Sequence, residues 1–411
     1  MPSRQVRSSF LVNYFFLYIT FAVLAPYLQL YLKARGMSPS RIGLLLGCLE
    51  IAGLAGPILL GRLADRRGAY KPLLAAAILV PTIAFIPMEL TTRFPVFLAC
   101  IAAMGFAYRA TPPLLDSLVS RTLPDPAWQY GRLRVAGSVG FIAISLFLQL
   151  SGLVTGESSL PILLAFVASA ACAALAVGLL PAGSRPVPRA GPQQARDIPT
   201  PDPARRAAHA FDGFDGKFWA ILAVIFLGRF GIAAYYSFFS LYVQHTFPGS
   251  GVGIFWSIGS LAEIATIWFS GALIRRWGLR MLLFASLAAI SVRLGLFIIA
   301  PSLLVVGLAQ LLHALTFGTF HTTAVAYVNS KIEHDKRGTG MAIYNAVGIG
   351  LPTFLASTAG GYILEAHGFV TLFLSYAVVP ILGIGVLAAF GKRLLPSSAP
   401  ADAGSASPLG N

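Results

Sequence analysis

The sequence predicts an all-α integral membrane protein of twelve transmembrane helices arranged as two six-helix bundles. Three observations carry that prediction. Of 411 residues, 56% are hydrophobic and only 11% are charged, against roughly 25% charged in soluble globular chains. Apolar runs of about 20 residues, the length that crosses ~30 Å of hydrocarbon, recur from end to end. One polar, proline-rich stretch divides them into two sets of six.

Unpaired backbone groups are not tolerated in lipid, and strand alternation is absent, so each run reads as a helix. The first, 10 to 32, is too long and too rich in Phe and Tyr for a cleaved signal peptide, and no small-residue cleavage site follows it. Runs 42 to 61 and 73 to 90 flank the basic loop GRLADRRGAYKP. Run 94 to 120 holds Arg109, Pro112, Pro113 and Asp116, and its proline pair predicts a kink that frees backbone carbonyls. Runs 132 to 152 and 158 to 180 complete a first unit, 1–180. Residues 181–216 have prolines, arginines and no periodicity, which predicts a cytoplasmic linker that includes His209. The second unit, 217–394, has runs at 217 to 244, 252 to 274, 280 to 300, 302 to 330, 339 to 364 and 368 to 391. Beyond it, 395–411 is rich in Ala, Ser, Pro and Gly and reads as a disordered cytoplasmic tail.

Charge orients the bundle. With both termini cytoplasmic, 23 of the 30 Lys and Arg residues fall on the cytoplasmic side, which predicts a multi-pass protein of the inner (plasma) membrane. Spread over many short loops, the net charge of +15 marks topology and contacts with anionic membrane lipid, and argues against a nucleic-acid partner. Cys48, Cys100 and Cys172 lie inside apolar runs at an odd count with no metal spacing, and read as small buried hydrophobes. Nucleophile elbow, P-loop and metal-ligand spacings are absent, so no enzyme, cofactor or metal site is expected.

The halves repeat in sequence. GRLADRRGAYKP starts at Gly61 and GALIRRWGLRML at Gly271; Gly, Leu, Arg and Gly recur in register at 61, 63, 66, 68 and at 271, 273, 276, 278. A duplicated six-helix unit explains this. The pattern Gly61, Leu63, Asp65, Arg66, Gly68, Lys71, Pro72 resembles the signature of the major facilitator superfamily, over about residues 8 to 394. The resemblance implies a rocker-switch transporter: two pseudosymmetric bundles around one central site. In its gating loop the glycines permit a tight turn, and Asp65 latches one state.

Charges also lie deep in the bilayer. Counted from the loops, Glu263 and Arg293 sit about 18 to 20 Å from the same membrane face on neighbouring helices. Glu50, Arg109, Arg229 and His313 fall near the midplane. At roughly 3 kcal/mol each, such charges are not left facing lipid unpaired; they face one another or a wet cavity. Asp116 lies two turns after Arg109 on the same helix face, and Arg134 is at a matching depth.

TPPLLDSLVSR and YGRLRVAGSVGF resemble the lactose permease branch, which implies substrate roles for Asp116 and Arg134 and a stacking role for Phe141. LAEIA, ISVR and LLHALTF carry Glu263, Arg293 and His313 onto that permease's substrate and coupling positions. Thr316 replaces its proton-carrying acid, Gln310 its lysine, and Tyr236 and Phe239 its acidic pair. PLLDSLV, AAYYSFFSLY, AISVRLG and QLLHALTFGTFHTTAVAYV are most similar to the phenylpropionate permease group, with His321 also in place.

The expected function is secondary active transport of a small organic solute, an aromatic carboxylate such as phenylpropionate, with proton coupling. The excess of buried cations over acids suits an anion; Tyr235, Tyr236, Phe141, Phe238 and Phe239 are candidates to bracket its ring. Glu263 is the leading proton carrier, with His313 and Glu50 as further candidates. Asn13 and Asn345 are candidate cavity residues. A sugar or nucleoside symporter using Asp116 and Arg134, or a non-transporting receptor or scaffold of the same fold, remain as alternatives.

Overall fold

A computed structural model describes residues 4–123, 126–181, 214–332 and 336–395. Most of the predicted linker, the tail after Leu395, His209, His334 and the Arg132 side chain lie outside the described residues.

Twelve helices run through the described chain. They are α1 (Arg4–Ala34), α2 (Pro39–Arg67), α3 (Tyr70–Leu90), α4 (Phe94–Thr122), α5 (Pro126–Ser151), α6 (Ser159–Gly178), α7 (Gly216–Thr246), α8 (253–277), α9 (279–299), α10 (Leu303–Lys331), α11 (337–367) and α12 (369–394). Two hairpins are so tight that their helices run together: Gly278 (φ 71°) turns α8 into α9, and Gly368 (φ 77°) turns α11 into α12.

The repeated loop repeats its backbone. Gly68 closes α2 at φ 65°, and Gly278 closes α8 at φ 71°. Only a residue without Cβ adopts that left-handed conformation at low cost. Gly61 and Gly271 instead lie inside helices, Gly61 with open space beside it and Gly271 against the Arg275 side chain, so the expected turn role belongs to Gly68 and Gly278.

Helix α4 breaks at Arg109–Ala110, just ahead of Pro112 and Pro113. Prolines lack the N–H that would continue the ladder, so the break falls one turn before them. In the second half, α10 and α11 each widen into a π-helical stretch, Ala314–Thr319 and Tyr344–Gly350. Such stretches re-aim side chains and concentrate at functional sites.

Packing separates the helices into two rings. Helices α1, α2, α4, α5, α7, α8, α10 and α11 surround a central cavity; α3, α6, α9 and α12 pack outside them. The halves meet through α1–α7, α2–α11 and α5–α8. At one end the α2–α11 approach is closed to backbone contact: a Cβ added to Gly43 would stand 2.2 Å from the Ser357 carbonyl oxygen. The Ser40 N–H donates to Glu365 (2.9 Å), and the Gln149 amide spans α5 and α8 by donating to Ser250 and accepting from the Gly253 N–H. This is the end opposite Gly178 and Gly216, where α6 ends and α7 begins.

The outer surface is apolar. Leu90, Leu150 and Ile299 are 81%, 83% and 83% exposed, a state that lipid and not water accommodates. Cys48 and Cys100 are half-buried, but Cys172 is exposed on α6, so it is not the buried hydrophobe expected for it.

Candidate functional site

The cavity between the halves has a volume of about 490 Å³, within the ~300–1,000 Å³ of small-molecule sites. Glu50, Arg109, Asp116, Arg134, Phe141, Arg229, Tyr236, Glu263 and His313 all line it. The first five come from α2, α4 and α5, and the rest from α7, α8 and α10. The polar layer deduced from depth is therefore a shared wall facing one space.

Arg293 is the exception. It sits on α9, in the outer ring, is fully buried, and does not reach the cavity surface. Its guanidinium donates to Gln310 Oε1 (2.5 Å), Thr316 Oγ1 (3.0 Å) and His313 Nδ1 (3.1 Å), and lies 3.7 Å from the Tyr235 ring centroid. Equal depth suggested a direct Glu263–Arg293 bridge. Instead His313 stands between them, its Nε2 3.2 Å from Glu263 Oε2. A guanidinium is only a donor, so Nδ1 is the acceptor and the Nε2 hydrogen points at Glu263. The imidazole thus links a carboxylate that faces the cavity to a cation that does not.

The departures from the lactose permease pattern now have a structural role. Gln310 and Thr316 are neutral acceptors for the two terminal nitrogens of Arg293. A lysine at 310 would place a second cation against it.

On the first-half wall, Arg109 pairs with Glu50 across α4 and α2. Arg109 emerges at the break in α4, where its stem packs on Gly53. The Tyr14 hydroxyl donates to Asp116. Arg134 lies over the ring of Tyr18, 4.4 Å from its centroid.

Arg229 is held differently. Its guanidinium carbon is 5.9 Å from the Tyr236 ring and 5.8 Å from the Phe317 ring, and its NH1 is buried without a hydrogen-bond partner. Phe317 is itself stacked between His313 and His321, at 5.6 and 5.8 Å.

Several candidates are placed elsewhere. Tyr235 lines the cavity, but Phe238 and Phe239 are fully buried away from it, Phe239 inside an aromatic core with Trp256, Phe255 and Phe297. Asn13 is buried behind the wall, donating to the Ser9 and Ala176 carbonyls, and Asn345 is exposed off the cavity. His321 does not line the cavity; its Nδ1 bonds the Tyr344 hydroxyl at 3.0 Å. In the α2–α3 loop, Asp65 pairs with Arg121 of α4 (2.5 Å) and accepts from Tyr70, while Arg66 is exposed. The sequence reasoning missed Tyr14, Tyr18, Trp256 and Phe317. Phe317 lies one turn from His313 and Trp256 two turns from Glu263, a helical spacing that would have found both.

Two helical bundles around one polar cavity, closed at one end and apolar outside, define a membrane transporter rather than an enzyme. The MFS_1-like family matches residues 9–375, and the chain belongs to that family, a branch of the major facilitator superfamily. It is 26% identical over 363 residues to a probable 3-phenylpropionic acid transporter of Escherichia coli (strain K12), covering 87% of this chain and 91% of that one. It is 26% identical over 393 residues to a maltose permease of Geobacillus stearothermophilus, covering 94% and 95%. Among solved structures, the nucleoside transporter NupG superposes with a TM-score of 0.77 at 18% identity, over 94% of this chain and 99% of that one.

Proposed function

We propose that this transporter carries a small aromatic carboxylate, such as 3-phenylpropionate, by alternating access coupled to protons. It would work in the inner membrane with both termini cytoplasmic, the basic residues of 62–71 and 275–280 and Lys331, Lys336 and Arg337 then facing the cytoplasm. The closed α2–α11 and α5–α8 end is then the outer one, and the cavity opens inward.

The observation that carries the substrate class is Arg229. A guanidinium with a buried, unpartnered N–H in a cavity wall is a waiting site for a carboxylate. Tyr18, Phe141, Tyr236, Trp256 and Phe317 around the same space supply faces for a ring. The named activity of the Escherichia coli relative points the same way.

Coupling rests on Glu263. Its carboxylate faces the cavity and bonds His313, whose far nitrogen is held by Arg293. Protonating Glu263 breaks the Coulomb attraction across that imidazole, so proton binding and wall geometry are linked. Asp65, with Arg66 and the Gly68 turn, would latch α2 to α4 during the cycle through Arg121; lipid phosphates suit the exposed Arg66.

The test is charge-transfer current from proteoliposomes given 3-phenylpropionate at two pH values. The wild type gives a pH-dependent current, Arg229→Ala reduces it at least tenfold, and Glu263→Gln removes its pH dependence. Silence for the acid together with current for maltose or a nucleoside would transfer the site to Asp116 and Arg134. That second reading has its own support in the polar Tyr14–Asp116 pair and in the maltose permease relative.

A further inference from the structure

The cavity's charges are not equally satisfied. Glu50 has Arg109, Glu263 has His313, and Asp116 has Tyr14. Arg134 and Arg229 form no ion pair among the described residues and rest on aromatic faces, although Glu263 across the cavity exerts a longer-range attraction on Arg134. They belong to opposite halves: Arg134 to α5 and Arg229 to α7. Both line the same cavity.

Closing the open end of a rocker switch moves those two walls together. Two guanidinium groups then approach in a space poor in water, where repulsion between like charges is strong. An anion placed between them reverses the sign of the interaction, because each cation is then attracted to the same centre.

We propose that Arg134 and Arg229 form a two-sided clamp in which the bound anion itself permits closure: empty, the pair holds the cavity open, and a carboxylate between them draws the halves together. This rests on the anionic-substrate reading above and adds to it. Charge on the ligand selects at the closing step, so a neutral isostere of the same shape, such as 3-phenylpropanamide, occupies the cavity without being carried. Aromatic contacts with Tyr18, Tyr236 and Phe317 hold both guanidinium groups at the cavity wall. A ligand has differential affinity for the two states in the required direction, the condition for any population shift.

The test does not need the substrate to be known. Spin labels at Ser120→Cys and Ser330→Cys, at the open ends of α4 and α10, report the width of that end by electron–electron double resonance, with the three native cysteines replaced by serine. In nanodiscs without any added anion, Arg229→Glu should move the closed-to-open ratio by at least about tenfold toward closed, since repulsion becomes attraction. Arg134→Glu should do the same, and the double substitution should reopen the cavity. Arg229→Gln, the milder change, should give a smaller shift in the same direction. Unchanged distance distributions in properly folded Arg229→Glu and Arg229→Gln protein would overturn the clamp. If the swaps close the cavity but 3-phenylpropionate fails to close the wild type, the clamp stands and the substrate assignment falls.

Discussion

Glu263 and Arg293 are expected to be energetically coupled although they never touch. Their charges are separated by one imidazole, with contacts of 3.2 and 3.1 Å on either side of it. Across the ring the charges stand about 8 Å apart, and at an effective dielectric constant near 20 their attraction is about 2 kcal/mol. Glu263→Gln removes the counter-charge of a fully buried guanidinium; Arg293→Met removes that guanidinium and strips the donor from Gln310 and Thr316. Each single change destabilises the protein, and the double change should cost about 2 kcal/mol less than the two single costs added together. Thermal unfolding of detergent-solubilised wild type, both singles and the double, followed by loss of the monodisperse size-exclusion peak, measures the four corners. Strict additivity would refute the linkage through His313. His313→Ala should by itself reduce the coupling, because it removes the group that orients both partners.

The Glu50–Arg109 pair should behave in the same way but from a half-buried position: Glu50→Gln strands Arg109 and lowers stability by roughly 1–3 kcal/mol, and the exchanged pair Glu50→Arg/Arg109→Glu recovers part of it in the same melting assay. Gly43→Leu has no room against the Ser357 carbonyl, so it should prop α2 from α11, raise cysteine labelling from the outer face, and cut transport at least tenfold; normal transport would show that this contact is not part of the cycle. Gly68→Ala and Gly278→Ala each force a side chain into φ > 0 and should each cost about 1 kcal/mol, while Gly61→Ala, inside α2 with open space beside it, should be neutral or stabilising.

Much of the molecule was legible without coordinates. Helix number and fold class follow from a constraint with no alternative: a backbone in hydrocarbon must satisfy its own hydrogen bonds, so apolar length translates directly into helices. The duplication was equally visible, since Gly, Leu, Arg and Gly recur in register at 61, 63, 66, 68 and at 271, 273, 276, 278, and the structure gives Gly68 and Gly278 the same sign of φ. Depth in the membrane also reads from sequence, because a helix rises 1.5 Å per residue. Depth alone brought Glu50, Arg109, Arg229, Glu263 and His313 to the level of the cavity they line.

Azimuth did not follow. Counting residues placed Glu263 and Arg293 at one level but not on which side of their helices, nor which helices stand in the inner ring. Arg293 on α9 turned out to lie behind the wall, Phe238 and Phe239 to be buried away from the cavity, and Asn13 to bond a carbonyl of α6. The π-helical stretches of α10 and α11 rotate everything that follows them, and nothing in a hydropathy pattern announces such a turn. That this chain spans a membrane as two related sets of six helices, with charges at mid-depth, is written in the order of its residues, because hydration and helix rise act residue by residue. Which charge meets which is written only in the packed molecule. His313 separates Glu263 from Arg293, and Arg229 meets no acid among the described residues, because pairing depends on helix rotation and on neighbours distant in the chain.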